Sequence, residues 1–315
     1  MAASPPLEPG LVIAGHGRHV WVETPDGRRL ICHPRGKKSQ TVVGDRVLWQ
    51  ATQDEGTIEK VEPRRNLFYR QDEIRTKSFA ANLDQVLILI AAEPEFSESQ
   101  LSRALIAAEA EHIRPIIALN KSDLGALFDK AWQRLAIYRD MGYTLLPLAL
   151  KPRTEHEPHR TAGLEALLQG KTTLVLGPSG AGKSTLINRL VPDAAVLTNA
   201  ISTALNSGKH TTTSTTLYWV DAAKTTAVID SPGFQEFGLN HIEPMHLASL
   251  MPDIKAHASD CKFYNCSHRH EPGCGVLAAL QPASEAFLPP APQKISANRY
   301  KIYSDLFTEL SQTRY

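Results

Sequence analysis

The chain lacks several features that mark other classes of protein. No apolar run in its 315 residues approaches the length that a membrane-spanning helix needs. The start, Met1–Pro9, is rich in proline and has neither the basic flank nor the apolar stretch of a signal peptide. We therefore expect a cytoplasmic protein with no membrane partner, whose residues 1–9 form a disordered tail.

An excess of charge of one sign is also missing. The 34 Lys and Arg residues nearly balance the 33 Asp and Glu residues, and the formal net charge is +1. Overall charge therefore gives no general attraction to nucleic acid. One local cluster fits either a nucleic-acid contact or ordinary solvated charges, and the second interpretation is favoured from charge alone; its members are Arg28, Arg29, Arg35, Lys37 and Lys38.

The hydrophobic pattern divides the chain into three parts. Residues 10–80 contain short strands separated by turns and predict a small closed or sandwich-like β domain, of which an oligonucleotide-binding (OB) barrel is one example. Residues 81–240 alternate buried strands with helical spacing, which predicts an α/β domain with a mostly parallel sheet. Residues 241–315 break this pattern and include a final helix near 295–310.

The α/β part contains recognisable elements. Ser97 is the expected cap of a helix that carries Leu101, Leu105 and Ala108 on one face. The strands are predicted at 86–92, 116–119, 144–148, 172–176, 216–220 and 226–229, and further helices around 127–137, 164–168 and 185–190.

Residues 177–184 read Gly-Pro-Ser-Gly-Ala-Gly-Lys-Ser and fit the phosphate-loop pattern Gly-x4-Gly-Lys-Ser. The glycines let backbone N–H groups point toward phosphates, and the following helix presents its positive end to them. Lys183 is expected to reach the β- and γ-phosphates, and Ser184 to ligate Mg²⁺. The motif indicates phosphate and does not select guanine, since the same string is similar to that of nucleotide kinases.

The tetrapeptide Asn120-Lys121-Ser122-Asp123 follows a predicted strand. The carboxylate of Asp123 can accept hydrogen bonds from N1–H and the exocyclic amine of guanine, a donor pair that adenine lacks. Asn120 is expected to tie this tetrapeptide to the phosphate loop, and the stem of Lys121 to cover the base. The position at the carboxyl end of a strand, where α/β sheets bind ligands, strengthens an otherwise weak signal.

The order of these two motifs is unusual. In an ordinary GTP-binding domain the phosphate loop comes first and the guanine-selecting tetrapeptide comes near the end. Here the tetrapeptide at 120–123 precedes the loop at 177–185. The order predicts a circularly permuted GTPase.

A second turn, Asp230-Ser-Pro-Gly233, also follows a predicted strand. We expect Asp230 in the outer shell of Mg²⁺ and the N–H of Gly233 at the γ-phosphate. Between the phosphate loop and this turn lies the polar stretch Gly-Lys-His-Thr-Thr-Thr at 208–213, from which Thr212 is chosen, among three threonines, as the residue that caps Mg²⁺ and the γ-phosphate.

The residue after Gly233 is Phe234, where many GTPases place the glutamine that orients the attacking water. Phenylalanine cannot perform this role. His210 is the candidate replacement as a water-orienting group or base, Gln235 is a weaker candidate, and an ordinary surface histidine is the alternative interpretation.

Three of the four cysteines and a histidine form the spacing Cys261-x4-Cys266-x-His268-x5-Cys274. Three thiolates and one imidazole suit tetrahedral Zn²⁺. Because all four coordination positions are filled by protein, the predicted zinc is structural. His270 could compete with His268, and free thiols beside a surface histidine are the alternative.

Together these motifs resemble one family, the ribosome small-subunit-dependent GTPase A family. The resemblance also includes Ala-Ala-Asn-Leu-Asp-Gln at 80–85 and Asp-Ser-Pro-Gly-Phe-Gln-Glu-Phe-Gly-Leu at 230–239. It implies a multidomain chain: an OB-like N-terminal β-barrel (10–80), a central α/β circularly permuted GTPase (81–240) and a C-terminal zinc-binding helical domain (241–315). It further implies a role in late maturation of the small ribosomal subunit, with binding of rRNA and GTP hydrolysis stimulated by that subunit.

The motifs together give a set of site residues. The catalytic candidates are His210, Lys183 and Thr212, and the magnesium ligands are Ser184 and Thr212. The loop that usually backs guanine reads here Leu148-Ala149-Leu150-Lys151, a departure from the family's Ser-Ala-Lys-like string. The residues expected to bind GTP or GDP are Asn120, Lys121, Ser122, Asp123, Ala149, Gly177, Pro178, Ser179, Gly180, Ala181, Gly182, Lys183, Ser184, Thr185, Asp230 and Gly233.

Two other functions remain open at the level of the sequence. A nucleotide phosphotransferase would explain the phosphate loop but has no use for residues 120–123. A zinc-and-barrel RNA-binding module with an inactive GTPase would explain the outer domains. We expect a monomer in which contacts of Thr212 and Gly233 with the γ-phosphate set the position of residues 240–315 relative to the barrel.

Overall fold

The computed structural model describes residues 6–16, 19–36, 41–52, 55–73, 75–151, 161, 163–194, 215–232, 234, 237–282 and 294–312. The first part of the chain forms five short strands. Their inward side chains, which include Val12, Val22, Cys32 and Trp49, form a separate core. The strands are β1 (Glu8–His16), β2 (His19–Glu23), β3 (Arg29–Pro34), β4 (Arg46–Ala51) and β5 (Gly56–Val61).

These strands close into a barrel in the order β1-β2-β3-β5-β4, because β4 also pairs with β1. The β3–β5 pairing is parallel and the others are antiparallel. A five-stranded closed barrel confirms the predicted OB-like fold. One expectation is corrected: β1 begins at Glu8, and Pro9 pairs with Leu48, so these two residues belong to the barrel and not to a tail.

A two-stranded antiparallel hairpin, β6 (Leu67–Gln71) and β7 (Thr76–Ala81), follows the barrel. It is joined to the barrel by a bridge between Val43 and Ala80 and by a hydrogen bond from Ala81 N to Val43 O of 2.9 Å. The hairpin therefore contacts the barrel and lies, along the chain, between the barrel and the nucleotide-binding domain.

The nucleotide-binding domain contains a six-stranded portion of the large sheet, in the order β10-β9-β8-β11-β13-β12. All neighbours are parallel except β12 and β13. The strands are β8 (Gln85–Ala91), β9 (Arg114–Asn120), β10 (Thr144–Pro147), β11 (Thr172–Leu176), β12 (Thr215–Trp219) and β13 (Ala227–Asp230), and the helices are α1 (Glu98–Ala110), α2 (Ala126–Arg134), α3 (Ala136–Asp140), α4 (Leu164–Leu168) and α5 (Lys183–Leu190).

The predicted elements of this domain are present, with small shifts of their ends. Ser97 caps α1 by accepting a hydrogen bond from Gln100 N. The single helix predicted around 127–137 is two helices, which meet at Leu135. Strand β11, which leads to the phosphate loop, is the fourth strand of the domain along the chain and lies in the middle of the sheet. Because the phosphate loop follows the fourth strand and not the first, the α/β domain is circularly permuted.

The C-terminal part is helical, with α6 (Pro252–Ala258), α7 (Gly275–Ala278) and α8 (Ala297–Ser311), preceded by a 3₁₀ segment at Pro244–Leu250. Apolar side chains of α8 and of the 3₁₀ segment share one core with α1. A buried guanidinium strengthens this contact: Arg299 is 3% exposed, donates to both carboxylate oxygens of Asp253 at 2.7 and 2.9 Å, and donates to Ser102 Oγ at 2.6 Å.

The barrel joins the nucleotide-binding domain along an edge strand. Ala14 of β1 pairs with Thr216 of β12, so the two sheets are continuous. Beside this joint the buried carboxylate of Glu23 accepts hydrogen bonds from Arg29 Nε at 2.7 Å, Lys224 Nζ at 2.7 Å and Trp219 Nε1 at 2.8 Å. Three donors compensate the cost of burying this charge, which makes the joint specific.

Candidate nucleotide-binding site and metal centre

The phosphate loop lies between β11 and α5, and Lys183 is the first residue of α5. Gly180 and Gly182 have φ values of +81° and +103°, which other residues adopt only with strain. A Cβ at Gly182 would also overlap the side-chain amide of Asn120, and one at Gly177 would overlap the carbonyl oxygen of Leu89. The glycines are thus needed for backbone conformation and for close packing against the neighbouring strands.

The base-selecting tetrapeptide begins at the carboxyl end of β9. Asn120 Nδ2 donates to the carbonyl oxygen of Ala181 at 2.9 Å, which confirms the expected link between the tetrapeptide and the phosphate loop. Its Oδ1 accepts from Leu150 N at 3.1 Å, and Ser122 N donates to Leu148 O at 2.9 Å. One buried side chain therefore holds three loops together.

These loops border one cleft with a volume of about 680 Å³. Lys121 and Asp123 line it together with the phosphate loop, so the structure brings the base-selecting and phosphate-binding motifs to one site. The lining residues are Asn120, Lys121, Asp123, Leu150, Lys151, Gly177, Pro178, Ser179, Gly180, Gly182, Lys183, Ser184, Thr185, Pro232 and Phe234.

The second turn meets the phosphate loop at a charged pair. Lys183 Nζ lies 2.5 Å from Asp230 Oδ1, and both side chains are largely buried. Ser184 follows Lys183 in the first turn of α5 and its side chain is exposed to the cleft. The Ser184 hydroxyl and the Asp230 carboxylate are oxygen donors of the kind that Mg²⁺ prefers, so the residues present fit the expected magnesium–nucleotide ligand.

Four residues that were predicted to take part in the site lie outside the described residues: His210, Thr212, Gly233 and Gln235. Phe234 is described: it is buried, borders the cleft and packs 6.4 Å from Phe237 between ring centroids.

Four lining residues were not among those predicted to bind GTP, namely Leu150, Lys151, Pro232 and Phe234. Leu150 and Lys151 border the cleft, whereas Ala149, the residue chosen for the guanine-backing loop, is buried next to them. Their position directly after the Leu148-Ala149 pair was the available signal.

Comparison with known proteins identifies the group to which this site belongs. The sequence model of the RsgA GTPase family matches residues 61–240, which is more than half of the chain. The chain belongs to the RsgA GTPase family. It is accordingly a GTP hydrolase, and the order of its motifs is that of a circularly permuted GTPase.

Individual relatives of this family match over nearly the full length. "Small ribosomal subunit biogenesis GTPase RsgA" of Variovorax paradoxus (strain S110) is 72% identical over 98% of this chain and 94% of its own. The protein of the same name from Paraburkholderia phymatum is 49% identical over 96% of this chain and 92% of its own.

Solved structures of the fold agree. The crystal structure of YjeQ from Thermotoga maritima is 28% identical and covers 98% of this chain and 100% of its own, with a TM-score of 0.72. The structure of YloQ, described as a circularly permuted GTPase, is 27% identical and covers 100% of this chain and 99% of its own, with a TM-score of 0.67.

The predicted metal ligands of this RsgA-family chain meet in the C-terminal domain. The ligand atoms of Cys261, Cys266, His268 and Cys274 all lie within 4.8 Å of one another. The sulfurs of Cys261 and Cys274 are 3.8 Å apart, and His268 Nδ1 lies 3.3 and 3.5 Å from them. Ligands at about 2.3 Å for sulfur and 2.0 Å for nitrogen around one tetrahedral Zn²⁺ have separations of this size.

Three of the four ligand residues, Cys266, His268 and Cys274, are buried. Burial raises the pKa of the Cys266 thiol, and a coordinated Zn²⁺ would favour the thiolate over the thiol. The loop is fixed by Glu271, which accepts from Ser267 N at 2.7 Å and Arg269 N at 3.1 Å. The residues present therefore fit a structural zinc, and of the two candidate histidines the buried His268 belongs to the cluster whereas His270 is exposed.

The basic cluster of the barrel consists largely of paired charges. Arg28 contacts Glu8 and Asp26, Arg29 contacts Glu23, and Arg35 contacts Glu59. This agrees with the interpretation as ordinary strand and turn charges; Lys37 and Lys38 lie outside the described residues. In the part of the chain that the structure describes, no helix has the length and apolar character needed to cross a bilayer.

Proposed function

We propose that this protein hydrolyses GTP during maturation of the small ribosomal subunit in the cytoplasm. Its barrel and zinc-binding domain bind rRNA, and the subunit stimulates hydrolysis. The support is that relatives named for biogenesis of that subunit match over nearly the whole chain, including both outer domains. Nucleotide binding alone does not account for the two outer domains.

We assign the functions that GTP binding and hydrolysis require to residues of the cleft and of the two segments 208–213 and 230–233. Asp123 recognises the donor edge of guanine, and Asn120 fixes that loop against the phosphate loop. Lys183 and the N-terminus of α5 would hold the phosphates, and Ser184 and Asp230 are the residues that would hold Mg²⁺, Ser184 directly and Asp230 from the outer shell. Mg²⁺ would supply charge neutralisation at the β- and γ-phosphates. Thr212 and Gly233 recognise the γ-phosphate, and His210 orients the attacking water.

The single observation that carries the link to a large partner is the contact of both outer domains with segments that border the two switches, by which we mean the polar stretch 208–213 and the turn 230–233. β12, which pairs with the barrel, follows the polar stretch 208–213 directly. On the other side, Arg103 of α1 donates to Phe237 O at 3.2 Å and to Glu309 of α8 at 2.9 Å. A change at either switch therefore has a short path to the barrel and to the zinc-binding domain.

The zinc-binding domain carries a surface that fits single-stranded RNA. Phe263 and Tyr264 are 40% and 102% exposed on the loop between two metal ligands. The ammonium of Lys262 lies 5.7 Å from the Phe263 ring centroid. Exposed rings beside a cation can stack on unpaired bases and attract the nucleic-acid backbone.

The test is phosphate release from GTP and from ATP, with and without purified small subunits. We expect release from GTP alone, at a rate that the subunit increases. Release from neither nucleotide supports the inactive RNA-binding module, and transfer of phosphate to a nucleoside monophosphate supports the phosphotransferase. Co-sedimentation with subunits should be stronger with a non-hydrolysable GTP analogue than with GDP. Equal retention with the two nucleotides would contradict the proposal that the bound nucleotide controls binding to the subunit.

A further inference from the structure

The loop that follows β10 borders the cleft and is held there by two different motifs. Leu150 and Lys151 of this loop line the cleft. The N–H of Leu150 donates to Asn120 Oδ1 at 3.1 Å, and the carbonyl oxygen of Leu150 accepts from Arg189 Nη1 at 3.1 Å. The base-selecting tetrapeptide therefore fixes one side of Leu150, and helix α5 fixes the other.

The side chain of Leu150 is anchored by packing. It is 2% exposed and shares a core with Leu186 and Ile187 of α5. Its Cδ1 lies 3.4 Å from the position that a Cβ on Gly182 would take, so it packs against the phosphate loop. The next residue, Lys151, is exposed. The peptide unit between these two residues is the part of the loop that Arg189 holds.

Arg189 reaches this loop from the far end of α5. It lies in the last turn of the helix, and its side chain extends back toward the phosphate loop because Cα–Cβ bonds tilt toward the helix N-terminus. Its guanidinium donates to a carbonyl oxygen 39 positions earlier in the chain. A cation in the last turn of a helix is already stabilised by the helix dipole. The helix itself therefore does not require the bond, whereas the neighbouring loop does.

The peptide unit that Arg189 holds belongs to the end of the cleft assigned to the base. Asp123 lines the same cleft, and Ser122 N donates to Leu148 O at 2.9 Å, so the loop lies beside the tetrapeptide. Because a peptide unit is planar, a bond that fixes the Leu150 oxygen also restricts the N–H and the Cα of Lys151. Arg189 therefore restricts the position of this wall of the cleft.

We propose that Arg189 is a positioning residue for the guanine base: it holds the Leu150–Lys151 peptide unit in place and thereby slows the release of both GTP and GDP. The two nucleotides share the base, so the contribution of Arg189 is the same for each. The inference rests on the proposed assignment of the base to Asp123. It is independent of the ribosomal partner and of the two switches.

The experiment compares Arg189→Met with the unaltered full-length protein. Displacement of fluorescent GDP and of a fluorescent non-hydrolysable GTP analogue gives their dissociation rates, and single-turnover hydrolysis is measured at saturating GTP without ribosomes. Both dissociation rates should rise about fivefold, as for the loss of a charge-assisted hydrogen bond that is partly exposed to solvent. The rate of hydrolysis at saturation should stay within about twofold, because the phosphate contacts are retained.

Two controls separate positioning from general stability. Arg189→Lys keeps a charged donor and should restore most of the slow dissociation. Arg65→Met removes a different guanidinium that donates to a backbone carbonyl oxygen, that of Asn82, at 2.9 Å. It should lower the melting temperature and leave nucleotide dissociation unchanged. Unchanged dissociation in Arg189→Met, or equal acceleration in Arg189→Met and Arg65→Met, would show that the proposal is wrong.

A double-mutant cycle tests whether Arg189 acts through Leu150. Asn120 and Arg189 hold the two sides of one residue, so the second bond matters less once the first has been removed. Arg189→Met should accelerate GDP dissociation about fivefold in the unaltered protein and less than about twofold in Asn120→Ala. An equal acceleration in both backgrounds would show that Arg189 does not act through this residue.

Two further comparisons decide the remaining cases. If Arg189→Met does not fold, Arg189→Gln, which retains a neutral donor, takes its place and should release GDP faster than Arg189→Lys; equal rates would overturn the proposal. Asp123→Asn tests the base assignment separately. If that variant keeps its preference for GTP over xanthosine triphosphate, both the base assignment and the role of Arg189 fail. If its preference changes but Arg189→Met releases nucleotides normally, only the role of Arg189 fails.

Discussion

Asn120 and Ala181 are joined by a buried hydrogen bond of 2.9 Å, from the side-chain amide of the first to the carbonyl oxygen of the second. The two residues are 61 positions apart, and one lies in the base-selecting tetrapeptide while the other lies in the phosphate loop. The bond couples recognition of the base to the position of the phosphates, whichever motif comes first in the chain.

Replacing Asn120 with Ala should weaken binding of GTP and GDP together. The change leaves the Ala181 carbonyl and the Leu150 N–H without their partner, at a cost of about 1–3 kcal/mol each. We expect both dissociation constants to rise about tenfold or more in a nucleotide titration.

A matched control exists in Asn66, whose side chain bonds the backbone of Leu83 in the same two-way manner at 2.9 and 2.8 Å. Asn66→Ala should lower the melting temperature and leave nucleotide affinity unchanged. Equal nucleotide affinity in Asn120→Ala and the unaltered protein would contradict the coupling.

Removal of the imidazole from the metal cluster should release one zinc per chain. His268→Ala loses one of four ligands whose separations fit one tetrahedral ion, so metal analysis should find substoichiometric zinc and calorimetry a lower melting temperature. His270→Ala, at an exposed position two residues away, should retain the metal. Full zinc content in the His268 variant would show that the ligand set is wrong.

Truncation of the exposed ring at Tyr264 should weaken binding to the small subunit. Stacking of one base on an aromatic side chain contributes about 1–3 kcal/mol, so Tyr264→Ala is expected to raise the dissociation constant about tenfold, while GTP hydrolysis without subunits and zinc content stay the same. Tyr264→Phe should bind normally. Leu127→Ala removes another exposed apolar side chain, on α2, and serves as the control; an equal effect of both alanine changes would argue against a stacking contact.

Acid should destabilise the protein through His241. Burial lowers the pKa of this residue to about 4. The centroid of its ring lies 4.4 Å from the centroid of the Tyr69 ring. Among the described residues neither ring nitrogen has a hydrogen-bond partner. The unfolded chain, with a histidine pKa of about 6.5, binds more protons than the folded chain between pH 6.5 and 4. The free energy of unfolding should therefore fall as pH decreases through this window.

The comparison for this prediction is His241→Phe, which keeps an aromatic ring on Tyr69 and removes the titrating group. Its loss of stability between the same two pH values should be smaller by about 2–3 kcal/mol, measured by denaturant unfolding at each pH. Parallel curves for the two proteins would show that His241 does not titrate in the folding equilibrium.

The sequence predicts most of the nucleotide-binding domain because its motifs and strands are local. The run from Gln85 to Ala91 is apolar throughout, and it forms a strand that is buried on both faces. The phosphate loop is equally local, since its glycines, Lys183 and the start of α5 follow one another in the chain. In such segments local pattern and tertiary structure require the same residues.

The barrel was predicted less completely because several of its residues are required by contacts with strands that are distant in the sequence. Strand β1 starts Glu8-Pro9-Gly10, residue types that are rare in strands, yet a Cβ at Gly10 would overlap Val22 of the next strand. Gly56 begins β5 for a similar reason, because a Cβ there would overlap Cys32. The contact of Lys77 with Pro232 spans 155 positions, and no local pattern predicts it.

The central claim is that Asp123 recognises guanine in a nucleotide whose phosphates are held by residues 177–185. The most direct measurement is the ratio of affinities for GTP and xanthosine triphosphate in Asp123→Asn. Asparagine offers a donor to the xanthine oxygen that replaces the exocyclic amine, so GTP binding is predicted to weaken by on the order of 100-fold while xanthosine triphosphate becomes the preferred ligand. Unaltered preference for GTP in this variant would contradict the assignment of the base pocket and, with it, the account of the permuted site.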